Sequence, residues 1–126
     1  MTRFNRFNKY SAHRTESKLC ERVFDSKAEA RRGEELHILQ EAGEIKNLEY
    51  QVTYLLCDKP SIKIKLDFRY RENGSTIVED VKGLLEREAR VKLAWLKEKH
   101  GVDVRLLRWD KTRGWQRINL SGREVE

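Results

Sequence analysis

The stretch "LDFRYRENGSTIVEDVKG", residues 66–83, predicts two antiparallel strands joined at Asn73-Gly74. Asn-Gly between alternating apolar residues is a strong hairpin signal, because both central positions of a type I′ turn require a positive φ. Residues that face each other then lie equally far from the turn along the two strands, which places Asp67 opposite Asp80. Like charges at facing positions destabilise a sheet, so this acidic pair requires a physical explanation. The other predicted partners are Glu72 with Ser75, Tyr70 with Ile77 and Phe68 with Glu79.

The charged face of this hairpin brings a lysine to the acidic pair. Alternation along the two strands places Asp67, Asp80 and Lys82 on one face of the sheet. A divalent cation between the two carboxylates would convert their repulsion into ligation, since hard oxygen ligands suit Mg²⁺. The same ion could bridge a DNA phosphate, within reach of Lys82. The alternative is a solvated strand face, which is common in a chain with 38% charged residues.

Length and composition limit the class of protein. A chain of 126 residues with 38% hydrophobic residues predicts one folded domain with a heavily charged surface. The net charge of +6 favours an anionic partner, with nucleic acid ahead of a membrane. The sequence contains neither a membrane-spanning apolar run nor a secretory signal, so we expect a cytosolic protein without a membrane partner. Cys20 and Cys57 are expected to be buried, reduced thiols.

The first 16 residues are predicted to form a basic arm, followed by a single domain over residues 17–126. Aromatic residues are interleaved with the cations of this arm, and bases stack on aromatic rings while cations neutralise phosphates. The alternative is a solvated terminus without a role. The candidate DNA-binding cations are Arg3, Arg6, Lys9 and Arg14.

Hydrophobic periodicity predicts an α/β protein with a mixed sheet flanked by helices. Ser26 and Glu29 fit a capping box, so the first helix should begin near Ser26 and end near Gly43. Gly33 within this helix suggests close packing at that position, since glycine weakens a helix. The other predicted elements are strands over 18–24, 50–56, 102–109 and 115–120 and a helix over 84–101.

A few further residues are weighed for function. Gln51, on the polar face of its strand, is a candidate for positioning water or phosphate, and a surface glutamine is an equal alternative. The capping box is itself a structural explanation for Glu29. The three histidines lie too far apart in sequence to predict a ligand set. Core packing is favoured over a subunit contact for the tryptophans Trp95, Trp109 and Trp115.

The ordered motifs carry a family resemblance. Glu29 on a first helix, Asp67 on a strand and Asp80-Val81-Lys82 on the paired strand resemble the PD-(D/E)XK nuclease superfamily. The blocks "FDSKAEA", "AGEIKNLEYQV", "DFRY" and "VEDVKG" resemble a phage family within it, similar to archaeal-type Holliday junction resolvases. The resemblance covers roughly residues 9–108. Leu66 stands where proline often precedes the first aspartate, and Asp80 stands where such resolvases usually carry glutamate.

The resemblance implies a restriction-endonuclease-like mixed sheet and a role for each matched position. Asp67, Asp80 and the Val81 carbonyl would bind Mg²⁺, for which Mn²⁺ would substitute. Glu29 would complete the site directly or through water. Lys82 would orient the attacking water and stabilise charge growing on the phosphate.

The implied activity is magnesium-dependent hydrolysis of DNA, by a Holliday junction resolvase acting as a homodimer in the host cytoplasm. A four-way junction has near two-fold symmetry, so cutting two strands requires two active sites. One alternative keeps the chemistry and changes the substrate: a nickase or endonuclease for duplex or flap DNA in phage replication or packaging. A second is a DNA-binding module without catalysis.

Overall fold

A computed structural model of the protein describes residues 13–125. The elements in chain order are strands β1 (Thr15–Ser17) and β2 (Arg22–Phe24), helix α1 (Lys27–Glu41), strands β3 (Lys46–Cys57), β4 (Ile62–Glu72) and β5 (Ser75–Val81), helix α2 (Arg87–His100), and strands β6 (Arg105–Asp110), β7 (Gly114–Ile118) and β8 (Glu124–Val125). Strands β3 to β8 form one six-stranded sheet in sequence order, and β1 and β2 form a separate two-stranded sheet. The predicted mixed α/β architecture is confirmed.

The hairpin of β4 and β5 has the predicted register. Glu72 pairs with Ser75, Tyr70 with Ile77, and Phe68 with Glu79. The loop residues Asn73 and Gly74 have φ values of 52° and 80°, as a type I′ turn requires. The ladder ends at the pair Phe68 and Glu79, one step before the two aspartates.

Strand β6 returns parallel to β5 after α2, and every other pairing in the large sheet is antiparallel. Glycine at the C-cap of α2, Gly101, has a φ of 69°, a left-handed conformation that ends the helix. The β5-α2-β6 crossover thus places the start of α2 next to the end of β5, where Asp80 lies. Within residues 13–125, neither helix has the length and apolar character needed to cross a bilayer.

The first part of the chain differs from the prediction. The strand expected over 18–24 is a hairpin, in which β2 pairs with β1 across a turn over residues 18–21. Glu21 adopts a positive φ of 57° in this turn, and the Ser17 hydroxyl accepts a hydrogen bond from the Cys20 N–H at 3.1 Å. Residues 15 and 16 of the expected arm therefore pair in a sheet. The short strand β8 was not predicted.

Two separate clusters form the core, one with each helix. The α1 cluster contains Phe24, Ala30, Leu36, Ile45, Phe68 and Tyr70. The α2 cluster contains Leu56, Ile64, Leu66, Val78, Leu85, Leu93, Leu96, Leu106 and Ile118. Asp67 lies between Leu66 of one cluster and Phe68 of the other. The acidic pair is therefore held where both cores constrain the backbone.

Helix α1 begins as the capping box predicts, and Gly33 is packed closely. The Ser26 hydroxyl accepts a hydrogen bond from the Glu29 N–H at 3.0 Å. A Cβ atom at position 33 would lie 2.5 Å from the Cζ atom of Phe24. Phe24 is 2% exposed and packs against Tyr50 and Phe68, which limits the movement of its ring.

We expect Gly33→Ala to lower the free energy of unfolding by about 1–3 kcal/mol, because overpacking a core forces side chains from their preferred positions. Helix propensity alone predicts the opposite sign, a gain of about 1 kcal/mol. Urea denaturation measures the difference. A stabilised Gly33→Ala variant would show that Phe24 moves aside at little cost.

Candidate active site

The two aspartates join strands β4 and β5 where their ladder ends. The Asp67 N–H donates to Oδ1 of Asp80 at 3.0 Å, and the Val81 N–H donates to Oδ2 of Asp67 at 2.8 Å. The carboxylates therefore replace backbone acceptors of the sheet at this point. Asp80 is 3% exposed. This reciprocal arrangement fixes both side chains side by side, as the hairpin register predicts.

Glu29 approaches the aspartates from the first turn of α1. It is 4% exposed, and its Oε2 atom accepts a hydrogen bond from Nε2 of Gln51 at 2.8 Å. Gln51 has a φ of 56°, although it lies within β3. A positive φ is uncommon for a residue other than glycine and is often associated with functional sites. The structure thus brings Gln51 to the group of acids, although its backbone conformation could not be read from the sequence.

Lys82 supplies the nearest cation to this group of acids. Its Nζ atom lies 3.0 Å from Oδ2 of Asp80, and its side chain is 27% exposed. The Lys82 N–H donates to the Leu107 carbonyl of β6 at 2.8 Å, which fixes the backbone from which the side chain extends. The ammonium group is therefore positioned by the sheet while remaining accessible to solvent.

Burial and mutual repulsion alter the protonation of the acids. Burial raises the pKa of Asp67 to about 9, and the negative charges of Asp80 and Glu29 add to this rise. Burial raises the pKa of Glu29 to about 7, with further contributions from Asp25 and Asp80. Without a compensating cation, the site therefore retains protons near neutral pH.

The raised pKa values predict a stability that falls with increasing pH in EDTA. A carboxyl group with a raised folded-state pKa contributes stability that is complete below its unfolded pKa and lost as the pH rises through its folded pKa. For Asp67 this window extends from 3.8 to about 9. We expect the melting temperature of the wild type to fall between pH 5 and pH 9. Asp67→Asn should reduce this fall and, at pH 9, should stabilise the protein by about 1–3 kcal/mol relative to the wild type.

Calorimetric scans across this pH range test the expectation. Asp103→Asn is the matched control, because the side chain of Asp103 is 85% exposed. An equal pH slope in the wild type and in Asp67→Asn would show that Asp67 does not hold a proton in the folded state.

A cleft of about 880 Å³ opens over the acids. The starts of α1 and α2 contribute to its walls, together with β4 and β5. Its lining includes the acids Asp25, Glu29, Asp67, Asp80, Glu86 and Glu88, and the cations Lys27, Lys63, Lys65, Lys82, Lys92 and Arg108. The group of Glu29, Asp67 and Asp80 is suited to a bound cation, and the lysines of the lining are suited to a polyanion above it.

The described residues contain no preformed metal site. Within residues 13–125, no group of three or more Asp, Glu, His or Cys side chains has the arrangement of a ligand set. Backbone and side-chain donors bind one oxygen atom each of Asp67, Asp80 and Glu29. The donor chemistry itself fits a hard divalent cation, since carboxylates that repel one another gain from a shared positive charge. Ligation by these acids and by the Val81 carbonyl therefore remains a prediction.

Most of the predicted basic arm lies outside the described residues. This applies to Arg3, Arg6 and Lys9. Arg14 is exposed and is not among the described residues that line the cleft, whereas the neighbouring His13 does line it. No contact of the arm with DNA follows from these positions.

None of the three tryptophans is fully buried, and only Trp95 packs against the α2 cluster, so the core prediction is wrong for Trp109 and Trp115. All three are partly exposed. Trp109 lines the cleft and lies under the guanidinium of Arg31 at 4.1 Å, and Trp115 donates from its indole N–H to Glu35 at 2.8 Å. An aromatic ring with a polar tip is suited to such half-exposed positions.

Sequence reasoning did not identify a buried ionic network beside the acids. Glu79 has 0% exposure and accepts two hydrogen bonds from the Arg32 guanidinium, each at 2.8 Å. The Tyr70 hydroxyl also donates to Glu79, and Arg105 lies 3.5 Å away. Burial and then the hydrogen bond to Glu79 raise the pKa of Tyr70. The predicted register places Glu79 opposite Phe68, on the apolar face of β4, but it gives no indication of the partner Arg32, which lies 47 positions away.

A comparison with protein families identifies the family to which the chain is similar. A family model described as "Protein of unknown function (DUF1064)" matches residues 7–114. No curated protein and no solved structure matches the chain. The matched segment includes Glu29, Gln51, Asp67, Asp80 and Lys82.

Proposed function

We propose that this chain, which belongs to the DUF1064 family of proteins of unknown function, is a divalent-cation-dependent endodeoxyribonuclease of the PD-(D/E)XK type. The observation that carries the proposal is the convergence of three carboxyl groups and one lysine in one cleft. Burial, and then the neighbouring negative charges, raise the pKa of Glu29 and of Asp67, and Lys82 lies beside Asp80. Acids grouped in this way are functional-site candidates, because a purely structural role rarely requires mutual repulsion.

The acids supply the ligands for the proposed Mg²⁺ ion. Asp67 and Asp80 would bind it, with the Val81 carbonyl and Glu29 as further oxygen ligands, and Mn²⁺ would substitute. When bound, the ion acts as a Lewis acid on the phosphate and acidifies the attacking water. Binding displaces the protons that Asp67 and Glu29 retain, so affinity for the ion increases as the pH rises.

The remaining residues position the substrate and stabilise the transition state. Water gives up a proton to the solvent as its oxygen attacks phosphorus, the bond from phosphorus to the leaving oxygen breaks, and the leaving oxygen takes up a proton from the solvent. Lys82 donates hydrogen bonds to the phosphate oxygens as their negative charge grows. Gln51 holds Glu29 in place through the contact at 2.8 Å. Cations on the cleft rim bind the flanking phosphates.

The proposed substrate is branched DNA, with a four-way junction as the preferred form. This part rests on the resemblance to Holliday junction resolvases, which is a weaker basis than the site itself. A homodimer would present two sites to the two-fold symmetric junction. The activity would be exercised in the cytoplasm of a host cell on DNA produced during phage replication.

Cleavage assays on labelled DNA test the proposal. Four-way junction, flap and linear duplex are incubated with purified protein in Mg²⁺ or in EDTA. We expect cleavage of the junction in Mg²⁺ and none in EDTA. Equal cleavage of junction and duplex would remove the resolvase proposal and retain the nuclease, whereas no cleavage of any substrate would remove both.

The backbone contacts of the aspartates favour a second candidate, a DNA-binding module without catalysis. Asp67 and Asp80 accept backbone N–H groups where the strands separate, a structural role that requires no cation. In that case Mg²⁺ would change neither the stability of the protein nor the state of the DNA. Thermal unfolding with and without Mg²⁺ distinguishes the two candidates independently of cleavage.

A further inference from the structure

A groove of about 750 Å³ continues the cleft along α2 and the start of β4. Its apolar floor consists of Ile62, Val91 and Trp95. Val91 is 55% exposed, whereas Ile62 and Trp95 pack partly against the α2 cluster and remain partly open to solvent. Three apolar side chains are thus held on the surface by the core beneath them.

The groove and the cleft share part of their walls. Lys63, Glu88 and Lys92 line both. A chain that passes over Asp67 and Asp80 can therefore run directly into the groove. This continuity connects the apolar floor with the proposed site of cleavage.

The charges around the floor are predominantly positive. Lys63, Arg87 and Lys92 line the groove, with Glu88 as the acidic member. Glu88 lies 3.3 Å from Lys92, but its side chain is 79% exposed, and such a surface pair contributes little. Within residues 13–125, neither Lys63 nor Arg87 lies within ion-pair distance of a carboxylate. An occupant must therefore combine apolar surface with negative charge.

We propose that this groove binds an unpaired DNA strand next to the cleavage site, with bases on Val91 and Trp95 and phosphates on Lys63, Arg87 and Lys92. A single strand exposes the apolar faces of its bases together with its phosphates, whereas a duplex hides those faces by stacking. The inference rests on the proposed nuclease function and, among branched DNA, favours a flap with an unpaired segment beside the cut over a fully paired four-way junction.

The binding test uses Val91→Asp, which places a negative charge on the floor without altering the core. The matched control is Ile38→Asp, since Ile38 is 58% exposed on α1. Fluorescein-labelled linear duplex and the same duplex with a single-stranded flap are titrated in EDTA, where cleavage cannot interfere. Fluorescence anisotropy gives the Kd for each. If Val91→Asp does not fold, the neutral variant Val91→Asn is measured in its place.

We expect Val91→Asp to weaken flap binding about tenfold and duplex binding less than about twofold, because the apolar contact beside the base on Trp95 is lost and the added charge repels the strand in the groove. Ile38→Asp should leave both affinities unchanged. An equal loss for flap and duplex, or no loss for the flap, would overturn the inference. Dissociation of a dimer by Val91→Asp in sedimentation would also overturn it, since a second copy would then occupy the groove.

Failure of this inference is distinguishable from failure of the nuclease proposal. If the protein binds the flap selectively through Val91 but does not cleave DNA in Mg²⁺, the groove is a strand-binding site and the nuclease proposal is wrong. If the protein cleaves DNA in Mg²⁺ and the groove variants bind the flap normally, the nuclease proposal is supported and the groove proposal is wrong.

Discussion

Replacing Asp67 with Asn is expected to reduce DNA cleavage by at least about a hundredfold, with DNA binding nearly unchanged. The amide keeps the shape of the side chain and removes the negative charge that would hold a cation. Asp80→Asn and Lys82→Ala should have effects of similar size, since Lys82 lies 3.0 Å from Asp80 in the same group. Steady-state cleavage of a labelled junction in Mg²⁺ and anisotropy in EDTA give the two readouts.

Asp103→Asn is the control for this series because it makes the same chemical change at an 85% exposed side chain. It should cut at the wild-type rate. Normal cutting by Asp67→Asn would show that the acidic pair is not the site of catalysis. Loss of both cutting and binding would indicate disturbed folding, which the melting temperature of each variant reports separately.

Replacing Arg32 with Met is expected to destabilise the protein by about 3–5 kcal/mol, because it leaves a buried carboxylate without its main partner. Both guanidinium contacts to Glu79 are 2.8 Å long, and Glu79 has 0% exposure. Urea denaturation near pH 7 measures the loss. Arg31→Met is the matched control, since Arg31 is exposed and stacks on Trp109.

The double variant with Arg32→Met and Glu79→Leu should recover part of that stability, because it removes the buried carboxylate, while the Tyr70 hydroxyl loses its acceptor. A loss for Arg32→Met no larger than for Arg31→Met would show that the network contributes little. Arg32 lies one helical turn after Glu29, and Glu79 directly precedes Asp80. The network therefore also joins α1 to β5 at the position where the site acids meet.

Local signals in the sequence were sufficient for the central hairpin and the start of α1. Asn73-Gly74 determines both the turn and the register, and the register follows for every pair up to Phe68 and Glu79. The Ser26 cap depends on a contact only three residues along the chain. Such short-range patterns can be read without knowledge of the fold.

Contacts between residues that are far apart in the sequence could not be predicted from such short-range patterns. The ion pair of Arg32 with Glu79 joins residues 47 positions apart. Gln51 combines a positive φ, for which glutamine has no intrinsic preference, with a contact to Glu29, 22 positions away along the chain. Residues 18–24, predicted as one strand, form a turn followed by the second strand of a hairpin. The turn is stabilised by the hydroxyl of Ser17, which lies just before the predicted segment.

The resemblance named the candidate site residues, and the structure explains how two distant parts of the chain bring them together. Asp67 and Asp80 meet through the hairpin, which the sequence predicts. Glu29 meets them only because α1 packs against the sheet, and its pKa of about 7 is a result of that packing. The charge state of the site is therefore a tertiary property.

The most direct test of the account is the anomalous diffraction of Mn²⁺ in crystals of the protein soaked at saturating concentration. If the two aspartates share a divalent cation, one peak lies at ligand distance, about 2.0–2.3 Å, from carboxylate oxygens of both Asp67 and Asp80. No peak between these two side chains, with their oxygens still accepting the N–H groups of Asp67 and Val81, would contradict it.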